Sequence, residues 1–347
     1  MPLHYKDYLQ LDKILHAQQP ETGKNGQEPA HEEMLFIIIH QAYELWFKQV
    51  IYELDAILLI MGNETINDNS PDFQLIIQRL KRVVTIFKLL VQQIDVLETM
   101  TPMDFLSFRD HIRPASGFQS WQFKNIEAKL GLKYEHRHGQ EFYASQLKQD
   151  EVDVLKKSEN EQSLLQRINI WLERMPFIND EDYWENYHPM SGNQNTPKFW
   201  NDYEYVYLQT LLVTDSQGEA SFKDIFNHSA NAGNRNRTLS PMACRSALFI
   251  NVYRGYPLLE LPFQLLDTLL EVDSLIATWR FRHVNMIQRM IGVKMGTGGS
   301  AGAGYLKAAL EKHYIFKEIA LLNSFLVEKQ KLPKLPQALI DKLTYRV

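Results

Sequence analysis

Two long stretches, residues 32–61 and 73–100, contain neither proline nor glycine, and this constrains the fold more than any other feature. In both, apolar residues recur at steps of three and four, the period of one helix face. The first carries Leu35, Ile38, Ala42, Leu45, Trp46, Ile51 and Leu54, with Glu32 and Glu33 where the positive end of the helix dipole favours acids. The second carries Leu75, Ile76, Leu80, Val83, Val84, Phe87, Leu90, Val91, Ile94 and Leu97. Between them residues 63–72 form a break that ends at Ser70-Pro71. No stretch of the chain alternates apolar and polar residues as a strand does, and no repeat period is visible. The expectation is an all-α fold in one large helical domain, residues 1–347.

The rest of the chain reads the same way. Residues 3–19 suit a short amphipathic helix anchored by Tyr5, Tyr8, Leu9, Leu11 and Leu15, followed by a turn-rich break over 20–31. Thr101-Pro102 with Asp104 makes a good helix start. Residues 113–120 are a loop, followed by a helix to about Leu130, and residues 136–177 are charged and helical. Residues 178–222 interleave Asn, Asp and Pro with many aromatics, which fits an aromatic-packed excursion, an interface or a lid. Helices resume at Pro241–Tyr253, turn over Gly255–Pro262, and continue through Phe263–Met290, with a last pair from Tyr305 to Leu326 and near the C-terminus.

Composition then narrows the function. A formal charge of −5 lacks the basic excess of a general nucleic-acid surface. The single cysteine, Cys244, excludes an internal disulfide or a Cys-rich zinc site and resembles a small buried hydrophobe. No apolar run approaches the roughly 18 residues that span a bilayer, and the first residues lack a secretory apolar core. The expected location is cytoplasmic, with no nucleic-acid or membrane partner.

Several motif searches fail. Gly296–Gly304 is not a phosphate loop, because GxxxxGK[ST] is absent and no strand precedes it. Leu35 stands where the second histidine of HExxH belongs after His31-Glu32, and there is no GxSxG elbow. His136 and His138 are spaced as a weak metal pair but have no obvious third ligand, and the pattern reads better as a solvated turn.

Three stretches remain unusual. In WRFRHVNMIQRMIGVKMGTGGS, residues 279–300, His283 lies inside the stripe Val272, Leu275, Ile276, Trp279, Met286, Ile287 and Met290, while Arg280, Arg282, Asn285, Gln288 and Arg289 point elsewhere. One imidazole among large apolar side chains, beside a glycine-rich loop, is what a haem pocket needs; an ordinary core histidine looks the same. In HEEMLFIIIHQAYELWFKQ, residues 31–49, His40 reads either as a surface histidine or as a site residue. In MTPMDFLSFRDHIRPASGFQSWQF, residues 100–123, Arg109 follows Phe105 by one turn, suited to gripping a carboxylate or to an ion pair with Asp104 or Asp110.

Together these stretches closely resemble the tryptophan 2,3-dioxygenase family, whose pattern includes HE-LFI--HQ-YELWFKQ, MTP-DF--FRD-----SGFQS-QF and WR-RH---V-RMIG-K-GTGGS-G. The match is nearly continuous over residues 31–49, 97–127 and 279–300, with a supporting YxxYLxLDxIL at Tyr5–Leu15. The resemblance implies haem b, one iron per subunit, with His283 as its axial ligand. It implies Arg109 and Thr297 on the carboxylate and amino group of L-tryptophan, and His40 on the indole N–H. Phe36 and Phe105 become pocket walls, and Ser116 and Gly117 the loop over the oxygen-binding side. Tyr5 and Tyr8 are expected to reach a neighbouring subunit's pocket through an exchanged N-terminal arm, residues 1–19, in a homotetramer.

The implied reaction inserts both atoms of O2 across the indole C2–C3 bond and yields N-formyl-L-kynurenine, the first step of tryptophan breakdown by the kynurenine pathway. The chain departs from the family pattern in three places: Ala301 replaces a common second serine, Phe105 a tyrosine of some members, and Gln288 a frequent histidine. Residues 136–235 carry little of the resemblance, and within them the aromatic-rich excursion, 178–235, does not align with the family pattern. Two other readings stay open: a related haem enzyme that hydroxylates a modified tryptophan, and a non-catalytic haem-binding helical protein. The first should change the amino-acid grip or the distal side, and the second leaves Arg109, Thr297 and His40 without a joint purpose.

Overall fold

The computed structural model describes residues 2–24, 26, 28–63, 66, 70–137, 145–179, 181–184, 186–190, 198–211, 216–227, 237–297 and 313–344. All regular elements among them are helical. They are α1 Tyr5–Tyr8, α2 Leu11–Leu15, α3 His31–Met61, α4 Pro71–Leu97, α5 Pro102–Phe108, α6 Trp121–Leu130, α7 Gln149–Asn160, α8 Leu164–Glu173 and α9 Pro176–Asn179. There follow α10 Lys198–Leu208, α11 Ser216–Phe226, α12 Pro241–Tyr253, α13 Pro257–Ile291, α14 Lys317–Leu321 and α15 Gln337–Leu343. No helix among the described residues is long and apolar enough to cross a membrane.

Three long helices make the frame. Tyr43 Oη donates to the Leu90 carbonyl at 2.9 Å, and Arg82 Nη1 reaches Glu53 at 2.7 Å, so α3 and α4 run antiparallel. Between α4 and α13 the pairs are Lys81 with Gln264, Lys88 with Glu271, and Arg282 with Asp95. Those numbers rise together, so α13 lies parallel to α4, and the chain between them forms the crossover. The expected helix starts hold: Ser70 Oγ accepts from Phe73 N, Thr101 and Asp104 form a reciprocal cap, and Ser240 caps α12. Each satisfies a backbone N–H that the first turn leaves without a partner.

The buried faces of α4 and α13 follow the expected stripes, through Leu80, Val83, Phe87, Leu90 and Ile94 on one and Val272, Ile276, Met286 and Met290 on the other. On α3 the face is rotated: Ile39, Tyr43, Phe47, Val50, Leu54 and Ile57 are buried, whereas Ile38, Leu45, Tyr52 and Leu59 are exposed. This helix is apolar nearly all round, so periodicity alone does not choose its inner face.

Other expectations are revised as well. The turn over Gly255–Pro262 is shorter, because α13 begins at Pro257 and carries Pro262 in its second turn, early enough to cost a single intrahelical bond. The N-terminal helix splits into α1 and α2 at Gln10, whose φ is 54°, and neither piece buries a residue. Only Lys317–Leu321, with 3₁₀ turns after it, is helical in the described part of the Tyr305–Leu326 stretch.

The aromatic-rich stretch packs inward where it is described. Trp200 stacks on Phe226 at 5.5 Å and Tyr207 on Phe222 at 5.1 Å. Phe226 meets Phe325 at 5.2 Å, and Tyr203 donates to the Phe325 carbonyl at 2.9 Å. Phe199 touches Phe249 of α12 at 5.6 Å. Such clusters bury large area and gain from their tilted and edge-on geometries.

Candidate functional site

A cavity of about 280 Å³ opens where α3, the end of α5, the 116–120 turn, α6 and the last three turns of α13 converge. Its wall includes Phe36, His40, Phe105, Arg109, Ser116, Gly117, His283 and Thr297, eight of the ten residues singled out from sequence. The other two, Tyr5 and Tyr8, lie on the arm, 70% and 69% exposed, and are not part of this wall. The glycine-rich loop beyond Thr297, including Ser300 and Ala301, lies outside the described residues, as does His138.

Helical spacing places the distal group. Phe36 and His40 are one turn apart on α3, their rings 4.1 Å apart. His40 Nδ1 lies 2.7 Å from the Phe36 carbonyl. A carbonyl only accepts, so Nδ1 carries the proton and, in the neutral ring, Nε2 is left as an acceptor. Burial lowers the His40 pKa below its ordinary value against the opposing pull of that hydrogen bond and of Glu44, so the ring is neutral at pH 7. Phe105 on α5 closes the same wall, 5.8 Å from Phe36.

His283 occupies the facing helix. Its ring stacks on Trp279 one turn earlier, at 5.2 Å and 10° between planes, and Trp279 is held in turn by Phe123 at 4.8 Å. Burial, with His40 as a second cause, lowers its pKa to about 4. The imidazole is therefore neutral at pH 7, the form a metal takes. Apolar side chains flank it on the same helix: Met286, Ile287 and Met290.

Arg109 ends α5. It is 5% exposed, its Nη2 donates to the Met295 carbonyl, and its Nε has no partner. A buried guanidinium with donors left over is prepared for an incoming anion. Neither ion pair considered from sequence forms: Asp104 caps α5 and Asp110 pairs with Arg113. The Met295 contact also brings Thr297, two residues on, to the same wall. Ser116 starts the 3₁₀ turn Gly117–Gln119, its hydroxyl accepting from Phe118 N and its N–H donating to Gln119.

Sequence reasoning missed a buried ionic cluster in the wall. Glu127 of α6 receives Arg137 on one oxygen and Arg280 on the other. Arg280 Nη1 also donates to the His313 carbonyl at 2.9 Å, and Arg137 Nη2 to the Lys124 carbonyl at 3.1 Å. Arg280, expected to point away from the stripe, is buried in this cluster. Its partner lies 153 residues away in sequence, so no local pattern signals the pair. Among the described residues no group of three or more His, Cys, Asp or Glu side chains is placed to hold a bare metal ion.

The chain resembles known proteins over nearly its whole length. A family profile described as Tryptophan 2,3-dioxygenase matches residues 1–326. The chain is 38% identical to the tryptophan 2,3-dioxygenase of Bdellovibrio bacteriovorus over 99% of its own length and 98% of the relative's. It is 41% identical to that of Alteromonas mediterranea, with the same coverage, and 39% identical to that of Rattus norvegicus over 99% and 86% of the two chains.

Proposed function

Because the chain belongs to the tryptophan 2,3-dioxygenase family, we propose that this cavity is where it opens the indole ring of L-tryptophan with O2, with haem as cofactor. The enzyme breaks the C2–C3 bond and adds both oxygen atoms, giving N-formyl-L-kynurenine. The observation that carries the reading is one cavity wall holding two neutral histidines on facing helices and a buried arginine with a donor to spare.

The residues fit haem. A haem would need a single protein imidazole on its iron and an apolar surface beside it, and His283 would supply the imidazole. His283 is neutral, has no hydrogen-bond partner among the described residues, and stands beside the apolar surface of Met286, Ile287 and Met290 that a macrocycle needs. When bound, haem supplies the redox-active iron that activates O2.

The chain's own groups do the positioning. Arg109 Nε and its neighbouring N–H groups take the substrate carboxylate, and Thr297 contacts the carboxylate and amino group. Nε2 of His40 accepts a hydrogen bond from the indole N–H. The weakly acidic indole proton stays in place, so His40 orients the ring rather than acting as a base. Phe36 and Phe105, in contact with each other, wall the indole on one side, and Ser116 and Gly117 border the oxygen side. Fixing two reactants in one geometry is a large part of such catalysis.

The whole chain is read as one domain, located in the cytoplasm. It assembles as a homotetramer in which Tyr5 and Tyr8 complete a neighbour's pocket. That assembly is supported by the exposed apolar residues of the arm, Leu3, Tyr5, Tyr8, Ile14 and Leu15, and by the exposed heptad Ile38, Leu45, Tyr52 and Leu59 on α3. The test of the reaction is turnover of L-tryptophan under ¹⁸O₂ with haem-loaded protein. Two labelled atoms in N-formylkynurenine are expected; a hydroxylated tryptophan carrying one would overturn ring cleavage.

A further inference from the structure

Where the arm, residues 1–19, ends, α3 takes hold of it. Gln18 Nε2 donates to Gln41 Oε1 at 2.6 Å, and Gln41 Nε2 donates to the Ala17 carbonyl at 3.3 Å. The break that follows is held more firmly. Glu33, 1% exposed, accepts from the N–H groups of Glu21 at 2.7 Å and Thr22 at 3.1 Å, and from the Thr22 hydroxyl. Thr22 Oγ1 in turn accepts from Ala30 N at 2.9 Å, which ties the two ends of the 22–30 loop together. Further out along the arm, neither α1 nor α2 buries a residue.

Capping α3 does not account for this arrangement. An acid at the third position of a helix usually folds back onto the N–H of the residue before the helix, here Ala30. Ala30 N goes to Thr22 instead, and both Glu33 oxygens hold a segment 11 and 12 residues earlier in the chain. Burial pushes the Glu33 carboxyl pKa up, yet the Thr22 hydroxyl, the two N–H groups and His111 hold it below its ordinary value. A carboxylate kept out of water fixes its donors closely, because losing one leaves buried charge uncompensated. Glu33 and Gln41 also bracket Phe36 and His40 along α3, so the root of the arm and the pocket wall share one helix.

We propose that Glu33, acting through Thr22, is a positioning residue for the reaction in the neighbouring subunit. By gathering the Glu21 and Thr22 donors it sets the direction in which the arm leaves its own subunit, and so where Tyr5 and Tyr8 enter the neighbour's pocket. This rests on the shared-arm reading above. The arm is then aimed from its root, while its exposed tyrosines remain available to the other subunit.

Mixed oligomers made by co-expression test this, with haem-loaded protein assayed at L-tryptophan below the wild-type KM. Alone, Glu33→Gln and Thr22→Val are expected to lower kcat/KM about 10- to 100-fold with the Soret band unchanged, the range of one or two hydrogen bonds to a charged acceptor. Thr22→Ser, which keeps the hydroxyl, should restore it. Co-expressed with Arg109→Ala, whose pocket is disabled but whose arm is intact, each variant should recover activity well above both parents, because a sound arm then enters a sound pocket. A chain lacking residues 1–12, co-expressed with Arg109→Ala in the same way, reports on the shared arm itself. If that deletion is rescued and neither Glu33→Gln nor Thr22→Val is, or if both variants keep wild-type kcat/KM, the proposal is overturned. If the deletion is not rescued either, the shared-arm reading fails with it.

Discussion

Replacing Glu127 with glutamine removes one buried negative charge while leaving a side chain of nearly the same shape. Glu127 is 4% exposed and, among the described residues, is the carboxylate that pairs with Arg280. Burial pushes its carboxyl pKa up, and Arg137, Arg280 and His313 pull it down further, from 4.5 to about 2. At about 1.4 kcal/mol per pH unit, that difference corresponds to about 3 kcal/mol of stability. The folded pKa lies below the unfolded one, so this contribution is fully present above about pH 4.5 and is lost as the pH falls through about 2. An independent route agrees: breaking a buried ion pair by removing one partner costs about 3–5 kcal/mol.

Glu127→Gln is therefore expected to lower the unfolding free energy at pH 7 by about 3 kcal/mol. The gap to wild type should shrink between pH 4.5 and 2. Urea unfolding of both apoproteins, followed by tryptophan fluorescence at several pH values, measures this. Equal stability at pH 7, or a gap that does not change on acidification, would refute the reasoning.

Arg109→Ala is expected to raise KM for L-tryptophan about 10- to 100-fold with haem content unchanged, the loss of a charged carboxylate contact. Tryptamine, which lacks the carboxylate, should bind equally to both proteins, and steady-state kinetics with ligand titration reads both. Deleting residues 1–12 should cut turnover while leaving haem binding intact, and a fully active truncation contradicts the shared pocket. Gly131→Ala should destabilise the fold by about 1–3 kcal/mol in the same urea assay. Gly131 ends α6 at φ 140°, and an added Cβ would come within 2.9 Å of the Leu165 Cβ.

Elements whose two faces differ in chemistry were legible from sequence. On α4, Arg, Lys and Gln separate cleanly from the buried stripe, and helix ends such as Thr101-Pro102 carry their caps locally. On α3 apolar residues surround the axis, and its inner face is fixed by the packing partners α4 and α6, which no local window contains. Pro262 read as a breaker because the tolerance of an early helical turn depends on where the helix begins.

The site divides in the same way. The stripe around His283 was visible as a pattern, but its role, like those of His40 and Arg109, came through the family resemblance rather than spacing. The structure adds what neither provides: the tautomer of His40 set by Phe36, and the leftover donor of Arg109. The Glu127 cluster joins α6, the 137 turn and α13, so it becomes visible only when the chain is folded.

The most direct test of the central claim is an absorbance spectrum of haem-reconstituted, reduced protein before and after L-tryptophan and air are added, with His283→Ala beside it. The account predicts a histidine-ligated Soret band and growth of N-formylkynurenine absorbance in wild type, with the band largely lost in His283→Ala. A normal Soret band in His283→Ala, or a wild-type band without product, would contradict it.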